Sequence, residues 1–178
     1  ESGAGTLKNL GLKKLEQWFG FSFKERQDEM WQKLRNYIFN VTGKKFDKHN
    51  ALKKLAKKNK NLLRWAQNNG KKYQKLLNKI CFNAFNNLSL KRKREFLNFI
   101  TDCFDEDLYV IIANNLGVVI YKSAEKQTAV KDEIIAKKDS GSNVGYTIYI
   151  NNVPAYRVQT NNTNGIGISA FCQRIFLI

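Results

Sequence analysis

The spacing of apolar residues predicts five helices in the first hundred residues. Apolar positions recur every three or four residues, which is the period that gives an α-helix one buried face. Gly43 and Gly70 lie where this pattern breaks and predict helix ends, and Ser89 is a suitable N-cap for the last helix. The predicted helices cover about residues 6–19, 24–40, 48–68, 73–85 and 89–103.

After about residue 104 the pattern changes to short β-branched or alternating runs, which are typical of strands. Two of these runs flank Asn151-Asn-Val-Pro154 and predict a hairpin, whereas the pattern of residues 123–138 is ambiguous. Helices followed by strands predict an α+β fold, with a helical N-terminal half followed by a mostly antiparallel C-terminal sheet. The predicted strands are residues 108–113, 118–121, 146–150, 155–159 and 169–177.

Composition excludes several classes of protein. With 178 residues, 43% of them apolar, the chain can bury one sizeable core, and no apolar run is long enough to span a membrane. The three cysteines are widely spaced, which favours buried free thiols in a reducing cytoplasm. A zinc site needs close ligand pairs, and the only histidine is His49. We therefore predict a cytoplasmic protein without bound zinc.

Charge is distributed unevenly along the chain. Residues 1–100 contain 24 Lys and Arg against 7 Asp and Glu, a net charge of +17, whereas residues 101–178 contain 7 against 8, a net charge of −1. The stretch 44–79 alone has 13 basic residues and one acid, Asp47. Lysines on the outer faces of helices here would bind phosphates without sequence choice. A solvated helix face, enriched in Lys by codon bias, is the alternative.

A catalytic centre is not recognisable in the sequence. Mg²⁺-dependent nucleases often have an Asp, Glu, Gln or Asn two residues before a Lys on a strand. Asp-x-Lys, Glu-x-Lys and Gln-x-Lys are absent, and Asn69-Gly70-Lys71 lies at the predicted helix break. The acidic cluster Asp102–Asp107 could bind a hard cation, but a polar turn between helix and strand is the commoner arrangement. We therefore assign no catalytic and no metal-binding residue within this chain.

The polar segment near the C-terminus is the strongest candidate for reading DNA sequence. Amide side chains suit adenine edges, and Arg suits O6 and N7 of guanine. A long Asn- and Gly-rich hairpin loop without this role is the alternative, and Arg174 could instead pair internally with Asp102. The residues predicted to contact DNA are Lys8, Lys53, Lys57 and Lys60 in the basic half and Arg157, Gln159, Thr160, Asn161, Asn162, Asn164, Ser169, Gln173 and Arg174 near the C-terminus.

Two C-terminal stretches also carry a family resemblance. Tyr156-Arg-Val-Gln-Thr-Asn-Asn-Thr-Asn-Gly165 and Ser169-Ala-Phe-Cys-Gln-Arg-Ile-Phe176 resemble the last strands and the recognition loop of type II restriction endonucleases, in the MspI-like subgroup of the PD-(D/E)XK fold. Glu1–Asn9 resembles the segment that follows the catalytic strand in that family, and Glu29–Leu34 resembles the next helix. Arg94–Phe99 and the strand at 108–113 follow in the order of the family.

The resemblance implies a site-specific deoxyribonuclease that hydrolyses double-stranded DNA with Mg²⁺. The metal ligands and the catalytic lysine would then lie in a segment upstream of Glu1, and the oligomeric state, monomer or homodimer, is left open. Residues 1–104 would form a basic helical region that binds the DNA backbone, and residues 105–178 a β-rich region with the recognition loop. The alternative is a basic DNA- or RNA-binding module without enzymatic activity.

Overall fold

The structure, a computed structural model, describes residues 6–45, 54–55, 58–101, 109–114, 117–122, 133–162 and 171–178. The elements in these ranges confirm the α+β prediction, with four helices in the N-terminal part and then a five-stranded antiparallel sheet in the order β1-β7-β6-β5-β4, to which β1 contributes from before the helices. Strands β2 and β3 form a separate antiparallel pair. The elements are β1 (Thr6–Gly11), α1 (Leu12–Phe19), α2 (Lys24–Thr42), α3 (Lys60–Asn87), α4 (Leu90–Thr101), β2 (Tyr109–Asn114), β3 (Gly117–Lys122), β4 (Ile134–Lys138), β5 (Gly145–Ile150), β6 (Val153–Asn162) and β7 (Phe171–Leu177).

The chain divides into two compact units, each built from several segments. The first comprises Glu1–Asn9, Cys81–Gln159 and Arg174–Ile178, and the second comprises Leu10–Ile80 and Thr160–Gln173. Both units contain helical and strand residues. The regions 1–104 and 105–178 therefore describe the order of elements along the chain, and their status as domains stays a prediction.

Each unit has its own apolar core. In the first unit Phe85 of α3 packs edge-to-face against Phe96 of α4, with ring centroids 5.7 Å apart. In the second unit Phe23 packs in the same way against Phe171 at 5.9 Å. Cys81 and Cys172 are buried free thiols, as predicted, whereas Cys103 lies outside the described residues. Burial raises the pKa of the Cys81 thiol, which keeps it protonated and unreactive.

Helix α3 corrects one prediction. Residues 60–87 form a single helix of 28 residues, whereas the sequence predicted two helices separated at Gly70. The buried positions of α3 include Leu62, Ala66, Gly70 and Tyr73, so Gly70 occupies the apolar face rather than interrupting it. One glycine in a helix costs about 1 kcal/mol relative to alanine, and burial of this continuous face outweighs that cost.

The beginning of the chain corrects a second prediction. Residues 6–19 were predicted to be one helix, but only Leu12–Phe19 is helical, and Thr6–Gly11 is strand β1 beside β7. Leu10 is buried in the strand, so its apolar position fits either element. Pairing with β7 decides between them, because backbone hydrogen bonds to a neighbouring strand are not visible in a local sequence pattern.

Several element ends agree with the sequence. Gly43 ends α2 in the left-handed conformation, with φ 67°, and its N–H donates to the carbonyl of Phe39. The Ser89 hydroxyl accepts a hydrogen bond from the Arg92 N–H at 3.3 Å, as expected of an N-cap. Asn151 and Asn152 both have positive φ and join β5 to β6, which confirms the predicted hairpin.

The sheet edge at β4 is closed by helix side chains. The Asn86 side chain accepts a hydrogen bond from the Ala136 N–H at 2.8 Å and donates one to the Ala136 carbonyl at 3.0 Å. The Lys93 ammonium donates to the Ile134 carbonyl at 2.9 Å. These three bonds occupy backbone groups that point away from β5, so α3 and α4 satisfy an edge that would otherwise be open to another strand.

Candidate nucleic-acid interface

The exposed face of α3 has a row of cations. Six basic residues lie on this helix, and its 28 residues contain no Asp or Glu. At 3.6 residues per turn all six fall within about 120° of the helix circumference and span about 28 Å along the axis. Each of the six residues is exposed. We call this row the basic stripe, and its members are Lys60, Arg64, Lys71, Lys72, Lys75 and Lys79.

The cations of the basic stripe are unpaired among the described residues, which distinguishes them from those of α2. In α2 the Lys33 ammonium lies 2.6 Å from a Glu29 carboxylate oxygen, and Arg26 lies 3.3 Å from the other. The hydrogen bond from Lys33 lowers the pKa of Glu29, and the same bond raises the pKa of Lys33. Arg26 and Lys33 of α2 are thus already partly neutralised by Glu29, whereas the cations of the basic stripe have no acidic partner among the described residues.

The four predicted DNA contacts in the basic half have different surroundings. Lys60 is exposed and belongs to the basic stripe. Lys8 is half-buried, with its ammonium 5.1 Å from the centre of the Phe99 ring in a cation–π contact. Lys53 and Lys57 lie outside the described residues. Of the two that are described, only Lys60 has the exposure that a phosphate contact requires.

The predicted recognition residues of β6 divide between the two faces of the sheet. Side chains alternate along a strand, so Arg157, Gln159 and Asn161 share one face and Thr160 and Asn162 share the other. Arg157 is exposed, Gln159 and Asn161 are half-exposed, and Thr160 is fully buried. A one-residue alternation therefore separates residues that the sequence grouped as one polar cluster.

The buried members of the predicted set form a hydrogen-bond network in the second unit. The Thr160 hydroxyl donates to the Asn78 side chain at 2.9 Å and accepts from the Gln173 amide at 3.2 Å. The Thr160 carbonyl accepts a further bond from the Gln74 amide. Thr160 and Gln173 are each 0% exposed. In this conformation both side chains form hydrogen bonds in the interior and neither reaches the surface.

The remaining predicted residues of this region are Asn162, Asn164, Ser169 and Arg174. Arg174 on β7 is exposed, next to the buried Gln173. Both polar atoms of the Asn162 amide are buried without a hydrogen-bond partner in the described part of the chain. Asn164 and Ser169 lie outside the described residues, as does the acidic cluster Asp102–Asp107.

Arg157 belongs to a group of hydrogen-bonded polar side chains in the first unit. The Arg157 Nε lies 3.4 Å from Oδ2 of Asp139, and the Thr147 hydroxyl donates to Oδ1 of Asp139 at 2.7 Å. Thr147 is the direct cross-strand partner of both Arg157 and Lys137. Asp139 is not among the residues predicted from the sequence, because Lys138-Asp-Ser-Gly141 has only the composition of a turn.

Lys137 lies beside Thr147, on the strand next to it. Its ammonium lies 4.6 Å from the centre of the Tyr149 ring and 3.4 Å from the Asn152 side-chain oxygen. The row Lys137–Thr147–Arg157 therefore crosses three strands and places two exposed cations on one face.

Comparisons of the chain with protein-family models, with curated proteins and with solved structures find no match. Within the described residues no group of three or more His, Cys, Asp or Glu side chains could hold a metal ion. The described helices include none that is long and apolar enough to cross a membrane.

Proposed function

We propose that this chain binds double-stranded DNA, and that it is the DNA-binding and sequence-reading portion of a type II restriction endonuclease. The observation that carries the proposal is the basic stripe, in which six exposed cations lie along one helix without an acidic residue. A surface that served only solubility would gain from mixed charges, because opposite charges four residues apart stabilise a helix and like charges destabilise it. The uncompensated row supports a polyanionic partner.

Phosphate binding explains both the length and the sign of the basic stripe. Duplex DNA has one negative charge for about every 1.7 Å of axis, so a helix face about 28 Å long can meet several phosphates at once. Each contact releases counterions and adds affinity that does not depend on sequence. The long, flexible lysine side chains suit this task, since they reach a phosphate from many backbone positions.

The assignment to restriction endonucleases depends on the motifs between Tyr156 and Phe176 and stays a proposal. Under it, Mg²⁺ and the catalytic carboxylates and lysine belong to a segment outside these 178 residues. Among the described residues no group of three or more His, Cys, Asp or Glu could hold a metal ion, and the proposal assigns no metal-dependent step to them. Their part would be to bind and orient the duplex.

The first test measures duplex affinity against salt concentration for a variant of the basic stripe. We expect replacement of Lys71, Lys72 and Lys75 by Gln to weaken binding to all duplexes and to reduce the slope of log K against log salt by about three units. The matched control replaces Lys13, Lys24 and Lys33 by Gln, which removes the same charge from α1 and α2. Equal effects of the two triple variants would refute a specific role for the basic stripe.

The second test addresses the enzyme. The chain is combined with the residues encoded immediately before Glu1, and cleavage of a long duplex is assayed with and without Mg²⁺. The proposal expects Mg²⁺-dependent cleavage at one fixed short sequence. Duplex binding without cleavage in any combination would instead support the alternative, a basic DNA- or RNA-binding module, and competition with single-stranded RNA would then separate those two partners.

A further inference from the structure

The carboxylate of Asp139 is held in place independently of Arg157. Its Oδ1 accepts a hydrogen bond of 2.7 Å from the Thr147 hydroxyl, and the Asp139 side chain is only 14% exposed. The Asp139 carbonyl also accepts a bond from the Ser142 N–H in the turn that joins β4 to β5. A carboxylate with a fixed hydroxyl partner and little exposure has a fixed direction.

The backbone beside this carboxylate leaves room for it. A Cβ atom at Gly145 would lie 2.8 Å from Oδ2 of Asp139 and 3.3 Å from the Val158 carbonyl oxygen. Gly145 does not have the positive φ that would by itself favour glycine, so the close approach is the reason for glycine here. The absence of a side chain at Gly145 on β5 thus leaves the space that the Asp139 carboxylate occupies.

Arg157 meets this carboxylate through one nitrogen only. The contact is made by Nε, at 3.4 Å, while the side chain as a whole is 58% exposed. An exposed ion pair of this length contributes little to stability. Its effect is on direction: the hydrogen bond uses Nε and leaves the guanidinium edge formed by the two terminal nitrogens, the planar fork that binds two acceptors at once, outside this contact.

We propose that Asp139 positions the Arg157 guanidinium so that its two terminal nitrogens bind a pair of acceptors on DNA, either O6 and N7 of a guanine or two oxygens of one phosphate. This inference depends on the proposed function and deepens it by naming the group that is recognised. Arg157 makes the contact and Asp139 is a positioning residue. Because the fork is held before DNA arrives, less conformational freedom is lost on binding.

The test selects binding sites from a pool of duplexes with randomised sequence, and compares the wild type with Arg157→Lys and Asp139→Asn. Lysine keeps the charge but lacks the fork, and asparagine keeps the shape but lacks the charge. Matched controls are Arg92→Lys, an exposed arginine on α4, and Glu133→Gln, an exposed acid next to β4. Thermal melting of each variant shows whether it is folded.

If the acceptors belong to guanine, the wild type enriches guanine at one position, and both variants lower that preference by about tenfold or more. If they belong to a phosphate, both variants weaken all duplexes by one common factor and leave the preferences unchanged. In either case Asp139→Asn should have little further effect on binding in a chain that already carries Arg157→Lys. Both substitutions disrupt the same contact between Asp139 and Arg157.

The inference is wrong if both variants select and bind as their controls do, or if their effects simply add. Its failure is separable from that of the proposed function, because the triple variant of the basic stripe is measured on the same pool. If only the triple variant loses binding, the proposed DNA binding is supported and the proposed Arg157 contact is refuted. Absence of duplex binding by the wild type would overturn both.

Discussion

The two cationic surfaces of this chain differ in how firmly their charges are held. The six cations of the basic stripe have no partner among the described residues, whereas the Arg157 Nε donates a hydrogen bond of 3.4 Å to the Asp139 carboxylate. A flexible cation can follow a phosphate wherever it lies, which gives affinity without choice of sequence. A guanidinium with a fixed direction binds well only to acceptors that match its geometry. Under the proposed function, the basic stripe supplies affinity for any duplex, and Arg157 adds either a guanine contact or a further phosphate contact.

The largest expected effect comes from breaking the hydrogen bonds at the β4 edge of the sheet, next to Asp139. Asp139 directly follows β4, and Asn86 satisfies both the N–H and the carbonyl of Ala136 on that strand. We expect Asn86→Ala to lower the free energy of unfolding by about 2–4 kcal/mol, because two backbone groups beside a buried residue lose their partners. Urea denaturation measures this effect.

The exposed Asn83, one turn earlier on α3, provides the control for that experiment. Asn83→Ala should leave the free energy of unfolding nearly unchanged. A similar loss in the two variants would show that the hydrogen bonds to Ala136 are not what stabilises the edge. The Asn86 variant should also associate more readily in light scattering, since an open strand edge pairs with other chains.

The next effect separates binding from stability within the basic stripe. We expect Lys75→Glu to weaken duplex binding by about tenfold or more, because a cation near phosphate becomes an anion. The same change places an acid four residues from both Lys71 and Lys79, and each such pair stabilises a helix by about 0.2–0.5 kcal/mol. Binding should fall while the melting temperature rises slightly.

Fluorescence anisotropy and thermal denaturation of the Lys75→Glu variant test these opposite signs. Lys75→Gln serves as the control, because it removes the cation without creating the two pairs. A melting temperature that falls together with affinity would mean that Lys75 supports the fold rather than DNA binding.

A smaller effect concerns pH and the buried Lys93. Burial lowers the pKa of this ammonium, and the charge of Glu133 opposes the shift only in part. Between its lowered pKa and the ordinary value near 10.5 the unfolded chain binds more protons than the folded one, so stability due to Lys93 rises with pH in that window. At lower pH the full cost of the buried charge is present.

Lys93→Met should therefore be most favourable, relative to the wild type, near pH 7 and progressively less so towards pH 10. Urea midpoints measured across this range give the difference. The exposed Lys91 is the control, and Lys91→Met should follow the wild type at every pH. A constant difference between wild type and Lys93→Met would contradict a lowered pKa.

The smallest effect compares a paired with an unpaired cation. Lys33 is bound to Glu29 in the free protein, so its removal changes the number of released counterions less than removal of a cation from the basic stripe. We expect Lys33→Gln to reduce the salt slope of duplex binding by clearly less than Lys75→Gln. Equal reductions of the salt slope would show that pairing with Glu29 does not change the contribution of Lys33 to counterion release.

The sequence predicted the fold class, the Gly43 and Ser89 helix ends and the Asn151–Asn152 turn, because each depends on residues that are close together in the chain. It missed the continuity of α3 through Gly70 and the strand at Thr6–Gly11, where burial and pairing with distant residues outweigh local preference. The polar residues near the C-terminus were grouped by composition. Only the strand register shows that Thr160 turns inward while Arg157 turns outward.

The candidate site was predictable to a similar extent. The excess of lysine between residues 44 and 79 indicated a basic surface, but the continuous helix that aligns six of its cations was not visible in composition. Asp139 was missed altogether, because its importance arises from β4, β5 and β6 lying side by side. Local patterns do not record which residues of three strands share a row.

The basic stripe also makes the free protein respond to salt in the opposite sense to its proposed complex. Like charges four residues apart, such as Lys71 with Lys75 and Lys75 with Lys79, repel one another until ions screen them. Added salt should therefore raise the melting temperature of the free chain, while it lowers the additional stability that bound DNA confers. Plotted against salt concentration, the melting temperatures of the free and the DNA-bound chain should converge. They become equal at the concentration at which DNA no longer binds.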